Sequence, residues 1–127
     1  MTSLTEFLSA SLDSEGLAPS ELLGSYAIDG LAPEAVVFPG SVQSVSEVLS
    51  LASRHGKAVA PWGGGTQMTL GNPPRRLDLV VGLRRLDRIT LHEPADLVAS
   101  AEAGLTLQRL QKELAKDGQF LPLQAPL

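Results

Sequence analysis

Three consecutive glycines, Gly63-Gly64-Gly65, follow a short apolar run and are not followed by a helix-forming sequence. That feature constrains the fold most. Glycine is costly in chain entropy at the end of a strand, so a triplet there marks backbone that must turn sharply or approach another group closely. The residues before it specify a supersecondary unit. Val36-Val37-Phe38 is a β-rich run closed by Pro39-Gly40. Ser44 and Glu47 have capping-box spacing ahead of Val45, Val48, Leu49 and Ala52, which recur at helical intervals, and Gly56 is placed to end the helix. Ala58-Val59-Ala60 then predicts a second strand that runs through Pro61-Trp62 into the glycines. Strand, helix, strand in close order predicts a βαβ unit with a right-handed crossover.

After the glycine loop, Leu77-Asp78-Leu79-Val80-Val81 predicts a strand, and Leu97 to Ala103 another, with Leu97, Ala99 and Ala101 alternating against Val98, Ser100 and Glu102. Thr106 is placed to cap a helix bearing Leu107, Leu110 and Leu114 on one face, with Lys112 and Lys116 in its later half and Gly118 at its end. Ahead of all this, residues 1–32 form a helical segment, with one helix near Leu4–Leu12 and a shorter one near Ser20–Leu23. The expected fold class is α/β (α+β in some schemes): a small parallel or mixed sheet flanked by helices. The final stretch, Leu121-Pro122-Leu123-Gln124-Ala125-Pro126-Leu127, is apolar and proline-rich without a charged finish, which predicts a truncated chain.

Composition excludes several functions. The 127 residues suit one compact domain, and 43% hydrophobic with 19% charged content suits a folded chain. The net charge is -4, and the basic pairs Arg75-Arg76 and Arg84-Arg85 stand apart, so no basic face for nucleic acid is predicted. With no cysteine, the chain has neither disulfide nor thiolate chemistry. No apolar run approaches the roughly 20 residues that span a bilayer. Residues Met1 to Leu12 lack the basic and apolar regions of a signal peptide, so a cytoplasmic setting is expected.

The loop Pro61-Trp62-Gly63-Gly64-Gly65-Thr66-Gln67-Met68-Thr69-Leu70-Gly71 is uncharged. Successive backbone N–H groups in such a turn can form an anion-binding concavity, and Thr66 adds a hydroxyl. A diphosphate suits it. Neither common nucleotide loop matches: no lysine lies between Lys57 and Lys112, and Leu70-Gly71-Asn72-Pro73-Pro74 cannot open a helix. Taken alone, the glycines leave a phosphate cradle and a plain structural turn both open.

The order of features resembles a known family. Apolar strand, Pro, capped helix, short strand, Pro-x-Gly-Gly-Gly-Thr, a later Gly, strand, Leu-x-x-Ile, Glu-Ala-Gly, helix, Gly and Leu-Pro is similar to the FAD domain of the vanillyl-alcohol oxidase/para-cresol methylhydroxylase (PCMH) superfamily. Pro61–Thr66, Leu86-Asp87-Arg88-Ile89 and Glu102-Ala103-Gly104-Leu105-Thr106-Leu107 most resemble the FAD-binding subunit of bacterial glycolate oxidase. The resemblance covers Pro33 to Leu127, and implies that residues 33–127 are the first subdomain of a PCMH-type FAD-binding domain. It implies that backbone groups of Trp62, Gly63, Gly64, Gly65, Thr66 and Gln67, with Leu70 and Gly71, hold the FAD pyrophosphate. It also implies that the stretch containing Leu123, Gln124 and Pro126 approaches the flavin. The loop has neither histidine nor cysteine, so the implied FAD is noncovalent. Further implied are a 2-hydroxy-acid substrate, a second flavin subunit and an iron–sulfur subunit as partners, and peripheral contact with the inner membrane through them.

No residue of the chain is assigned a catalytic or metal-binding role. His55 suits a helix C-terminus, and His92 suits a surface loop. Asp78, within an apolar strand, is either an edge-strand surface residue or a carboxylate that anchors a ligand or loop. Among Asp87, Glu93, Asp96 and Glu102 no pair is recognisable as an acid and a base. Ser41, Ser44 and Ser46 lack a nucleophile-elbow context. Trp62 is either core or a cover for the loop, and the resemblance favours the cover. Two other functions remain: a module for a different nucleotide diphosphate, and a non-catalytic interaction domain.

Overall fold

A computed structural model describes residues 4–124. Its centre is a three-stranded parallel sheet of β1 (Ala35–Val37), β2 (Val59–Trp62) and β3 (Leu79–Gly82), in the order β1-β3-β2. β1 and β2 flank the connecting helix in sequence, yet β3 inserts between them, with Val36 opposite Val80 and Ala60 opposite Val80 from the other side. Pro61, which has no N–H to donate, is tolerated because β2 is an edge strand. On the free edge of β1, Leu17 bridges Val37 in antiparallel sense, and Phe38 N–H donates to the Gly16 carbonyl at 2.7 Å. The sheet is therefore mixed, and the fold is α/β.

Alternate residues of β1 and β3 supply two cores. Ala35, Val37, Leu79 and Val81 pack on one face against Leu8 of α1 (Leu4–Ser11) and Val48, Leu51 and Ala52 of α2 (Val42–Arg54). Val36, Phe38 and Val80 pack on the other face against Ala18, Ile28 and Leu77. Burying each Val, Leu, Ile or Phe among these contributes about 1.5–3 kcal/mol, which outweighs the weak local propensity of three- and four-residue strands. The segment 20–26 is a 3₁₀ turn rather than the short helix expected over Ser20–Leu23.

The cap of α2 lies three residues earlier than its spacing predicts. The Ser41 hydroxyl accepts from Ser44 N–H at 3.1 Å, while Glu47 accepts from the Gln43 side chain instead of closing a capping box. Asp78 is no surface residue. It is 7% exposed, and its carboxylate accepts from Ala58 N–H at 2.6 Å and pairs with Arg76 at 2.8 Å. Its own carbonyl accepts from Glu34 and Ala35, so Asp78 ties the amino ends of all three strands together.

A second, two-stranded sheet follows: β4 (Ile89–Glu93) antiparallel to β5 (Val98–Ala101). β4 was not expected, and β5 begins one residue later than predicted because Leu97 takes a left-handed conformation at φ +56. All four residues of β5 are exposed, so its alternation sorts no buried face. Helix α3 (Leu107–Leu114) is capped by Thr106 as predicted, and a 3₁₀ turn over Ala115–Asp117 ends at Gly118. Within residues 4–124 no helix is long and apolar enough to cross a membrane.

Candidate functional site

Because β1, β2 and β3 are parallel, their carboxyl ends lie on one side of the sheet, and the glycine loop leaves from there. In open α/β sheets this is the side on which ligands bind. No helix follows; residues 66–69 turn, and Leu70 N–H donates to the Gln67 carbonyl at 3.1 Å. Any anion held there would meet individual peptide groups rather than a helix terminus.

The three glycines differ. Gly65 has φ +74, and a Cβ on it would lie 2.7–2.9 Å from the Trp62 indole, so the fold itself requires glycine there. Gly63 and Gly64 lie outside the left-handed region. A Cβ on Gly63 would meet nothing within 4 Å, and one on Gly64 only the Thr66 methyl at 3.8 Å. No steric demand among the described residues explains those two, whereas a ligand resting on bare backbone would. The N–H groups of Gly63 to Thr69 donate to no acceptor among the described residues. Thr66, Gln67 and Leu70 are exposed, and Gly71 turns the chain at φ +95. No charged residue lies between Lys57 and Arg75, so the loop itself carries no carboxylate to repel an anion. Open donors, a floor free of Cβ atoms and the absence of local negative charge fit a diphosphate.

Two side chains fix the loop from below. Trp62 and Met68 both pack on the core formed by Val36, Phe38 and Val80. Trp62 is therefore a partly buried support beneath Gly65. A cleft of about 340 Å³ lies elsewhere, lined by Leu97, Val98, Ala99, Leu110, Leu114 and residues 119–121. None of these side chains is titratable, so the cleft offers no acid–base chemistry.

Of the second predicted stretch, Pro126 lies outside the described residues. Leu123 and Gln124 are exposed beside α3, to which this stretch is tied by Gln111: its side chain donates to the Leu121 carbonyl at 2.6 Å and accepts from Leu121 N–H at 2.9 Å. No hydrogen bond joins them to the glycine loop among the described residues.

The titratable groups serve the scaffold. His92 lies on β4, not in a loop; its Nε2 is 3.5 Å from the Gln119 side chain and its Nδ1 is 3.8 Å from Asp117. A register irregularity between Ile89 and Leu91 explains this. It turns His92 inward and leaves Leu91 43% exposed. The alternation Ile89-Thr90-Leu91-His92 carried the strand signal that the sequence reading missed. His55 ends α2, with its ring 4.6 Å from Phe7. Glu102 accepts from the Arg88 side chain at 2.8 Å and from its N–H at 2.9 Å, and the guanidinium holds its carboxyl below the usual range. Arg109 pairs with Asp87. Within residues 4–124 no group of three His, Asp or Glu side chains is placed to hold a metal.

Comparison with known proteins gives the same region a family. A "Probable D-2-hydroxyglutarate dehydrogenase, mitochondrial" of Oryza sativa subsp. indica is 28% identical over 90 residues, covering 71% of this chain and 16% of that protein. "Glycolate oxidase subunit GlcD" of Bacillus subtilis (strain 168) is 26% identical over 90 residues, covering 71% and 19%. The chain thus spans less than a fifth of the length of these relatives. Among solved structures, p-cresol methylhydroxylase with substrate bound superposes with a TM-score of 0.74 at 22% identity, covering 88% of this chain and 24% of that one. Alkyldihydroxyacetonephosphate synthase superposes with a TM-score of 0.77 at 22% identity, covering 92% and 26%. At that identity the two structures share the fold. The family model described as "FAD binding domain" matches residues 33–126, including the whole glycine loop. The chain therefore belongs to the FAD-binding-domain family of PCMH-type fold, with FAD as its cofactor.

Proposed function

We propose that this chain holds the pyrophosphate of a noncovalent FAD on the backbone of Trp62, Gly63, Gly64, Gly65, Thr66 and Gln67, completed by Leu70 and Gly71. The run of unpaired N–H groups over an uncharged floor carries this reading. In it, residues 33–127 are the first part of the FAD domain, residues 1–32 brace it, and the stretch with Leu123, Gln124 and Pro126 approaches the flavin. FAD, when bound, supplies the hydride acceptor, and these residues only bind and orient it.

The whole enzyme is proposed to oxidise the CH–OH group of a 2-hydroxy acid. Both named relatives point that way, one acting on D-2-hydroxyglutarate and one being a glycolate oxidase subunit. Being named a subunit, the latter supports the existence of partner subunits; that these are a second flavin subunit and an iron–sulfur subunit which take up the electrons is part of the same proposal. A cytoplasmic setting, with contact to the inner membrane through those partners, belongs to the same reading.

Calorimetric titration tests the site. FAD is expected to bind saturably and to outcompete ADP and NAD, and Gly64→Val to weaken it at least about tenfold by placing a branched side chain where the phosphate rests. Unchanged FAD affinity in a folded Gly64→Val chain would leave the glycines as a structural turn.

A further inference from the structure

The family match begins at residue 33, yet one side chain before it reaches the glycine loop. Tyr26 closes the 3₁₀ turn over Ser20–Tyr26, and its ring lies 4.9 Å from the Trp62 ring at 63° and 5.8 Å from the Phe38 ring at 64°. Both contacts have the edge-to-face geometry that aromatic pairs favour. Phe38 follows β1 and Trp62 ends β2, the two outer strands of the sheet. Between them β3 ends in Gly82, where a Cβ would lie 2.4 Å from the Phe38 ring. Tyr26 thus ties the outer strands together across the middle one, at the carboxyl ends.

That tie continues into the loop. The Trp62 indole lies under Gly65, within 2.7–2.9 Å of where a Cβ would stand, so the position of the ring sets the height of the glycine backbone. Met68 and Leu23 pack on the same core. With the loop's own N–H groups unpaired, few hydrogen bonds hold Gly63 to Thr69 in shape, which leaves the packing of Trp62 and Met68 to support it.

We infer that Tyr26 is a positioning residue for the pyrophosphate loop, acting through Trp62, and that the N-terminal segment thereby controls FAD affinity without touching FAD. The inference rests on the FAD site proposed above. Its physical basis is preorganisation: a loop free to sag is competent for part of the time, and apparent affinity falls by that fraction.

Trp62 is the chain's one tryptophan, so its emission reports on this site directly. The 127-residue chain is titrated with FAD, following both Trp62 quenching and heat. Tyr26→Ala is expected to raise the Kd about tenfold and to shift Trp62 emission before FAD is added, whereas Tyr26→Phe, which keeps the ring, stays within about twofold of wild type. If Tyr26→Ala fails to fold by circular dichroism, Tyr26→Leu takes its place with the same expectations. Wild-type affinity in the ringless variant, beside a Gly64→Val chain that has lost binding, would overturn the inference and leave the FAD site standing. Equal weakening by Tyr26→Phe would also overturn it, by assigning the effect to the hydroxyl. If neither the wild-type chain nor a longer chain carrying the rest of the FAD domain binds FAD, the proposed site fails and takes this inference with it.

Discussion

Gly64 and Gly65 are neighbours under opposite constraints. At Gly65 both the left-handed φ of +74 and the indole under it exclude a side chain, so the requirement is internal to the fold. Gly65→Ala should destabilise the chain by about 2–3 kcal/mol, combining left-handed strain with overpacking, and a urea melt reads the shift in midpoint. At Gly64 the space is open, so a substitution that spares stability and removes FAD affinity is the expected converse. A melt in which the two variants behaved alike would remove the distinction between scaffold and site.

At the scale of elements, side-chain caps decide where helices start. Ser41 holds Ser44 N–H at 3.1 Å and also hydrogen-bonds the Ser44 hydroxyl at 3.0 Å. Ser41→Ala should cost about 1 kcal/mol of stability in a thermal or chemical melt, and Glu47→Ala little, since Glu47 caps nothing. The sequence misleads here because Ser41, Ser44 and Glu47 repeat the same three-residue spacing, and only the backbone chooses between the two registers. β1 and β3 were readable as continuous apolar runs, closed by Pro39-Gly40 and Gly82, and α3 because its leucines keep one helical period up to Gly118. β4 was missed because its alternation is short, and the irregularity then exposes Leu91 and turns His92 inward, against the faces that alternation assigns. The glycine loop could be read from consecutive residues alone. The Tyr26–Trp62 contact could not, since 36 positions separate the rings and nothing local to either records the other.

Across the whole molecule, ion pairs join segments that the small sheet does not reach. Arg85 donates to Asp13 at 2.8 and 2.7 Å and to the Phe38 carbonyl at 2.8 Å, linking the N-terminal segment, the end of β1 and the turn after β3. Arg88 and Glu102 do the same between the residues flanking β4 and β5. The Arg85 guanidinium lowers the Asp13 carboxyl from its ordinary 3.8, and Arg88 lowers Glu102 from 4.5. A carboxylate with a depressed folded pKa adds stability that is complete above the unfolded value and disappears as the pH falls through the folded one. Wild-type stability should therefore hold from neutral pH down to about 4.5 and decline below it, as these groups take up protons that the unfolded chain already binds. Replacing both Arg85 and Arg88 with Met removes the source of both depressions. The double variant should be less stable at pH 7 yet lose less on acidification, so the two stability curves converge as the pH falls through the lowered values of both carboxyls. Both guanidinium–carboxylate contacts face solvent on at least one side, so the gap at pH 7 should also narrow with added salt. Parallel curves would show instead that the arginines act through packing, Arg85 against Gly40, where a Cβ would come within 2.9 Å of its guanidinium, and not through charge.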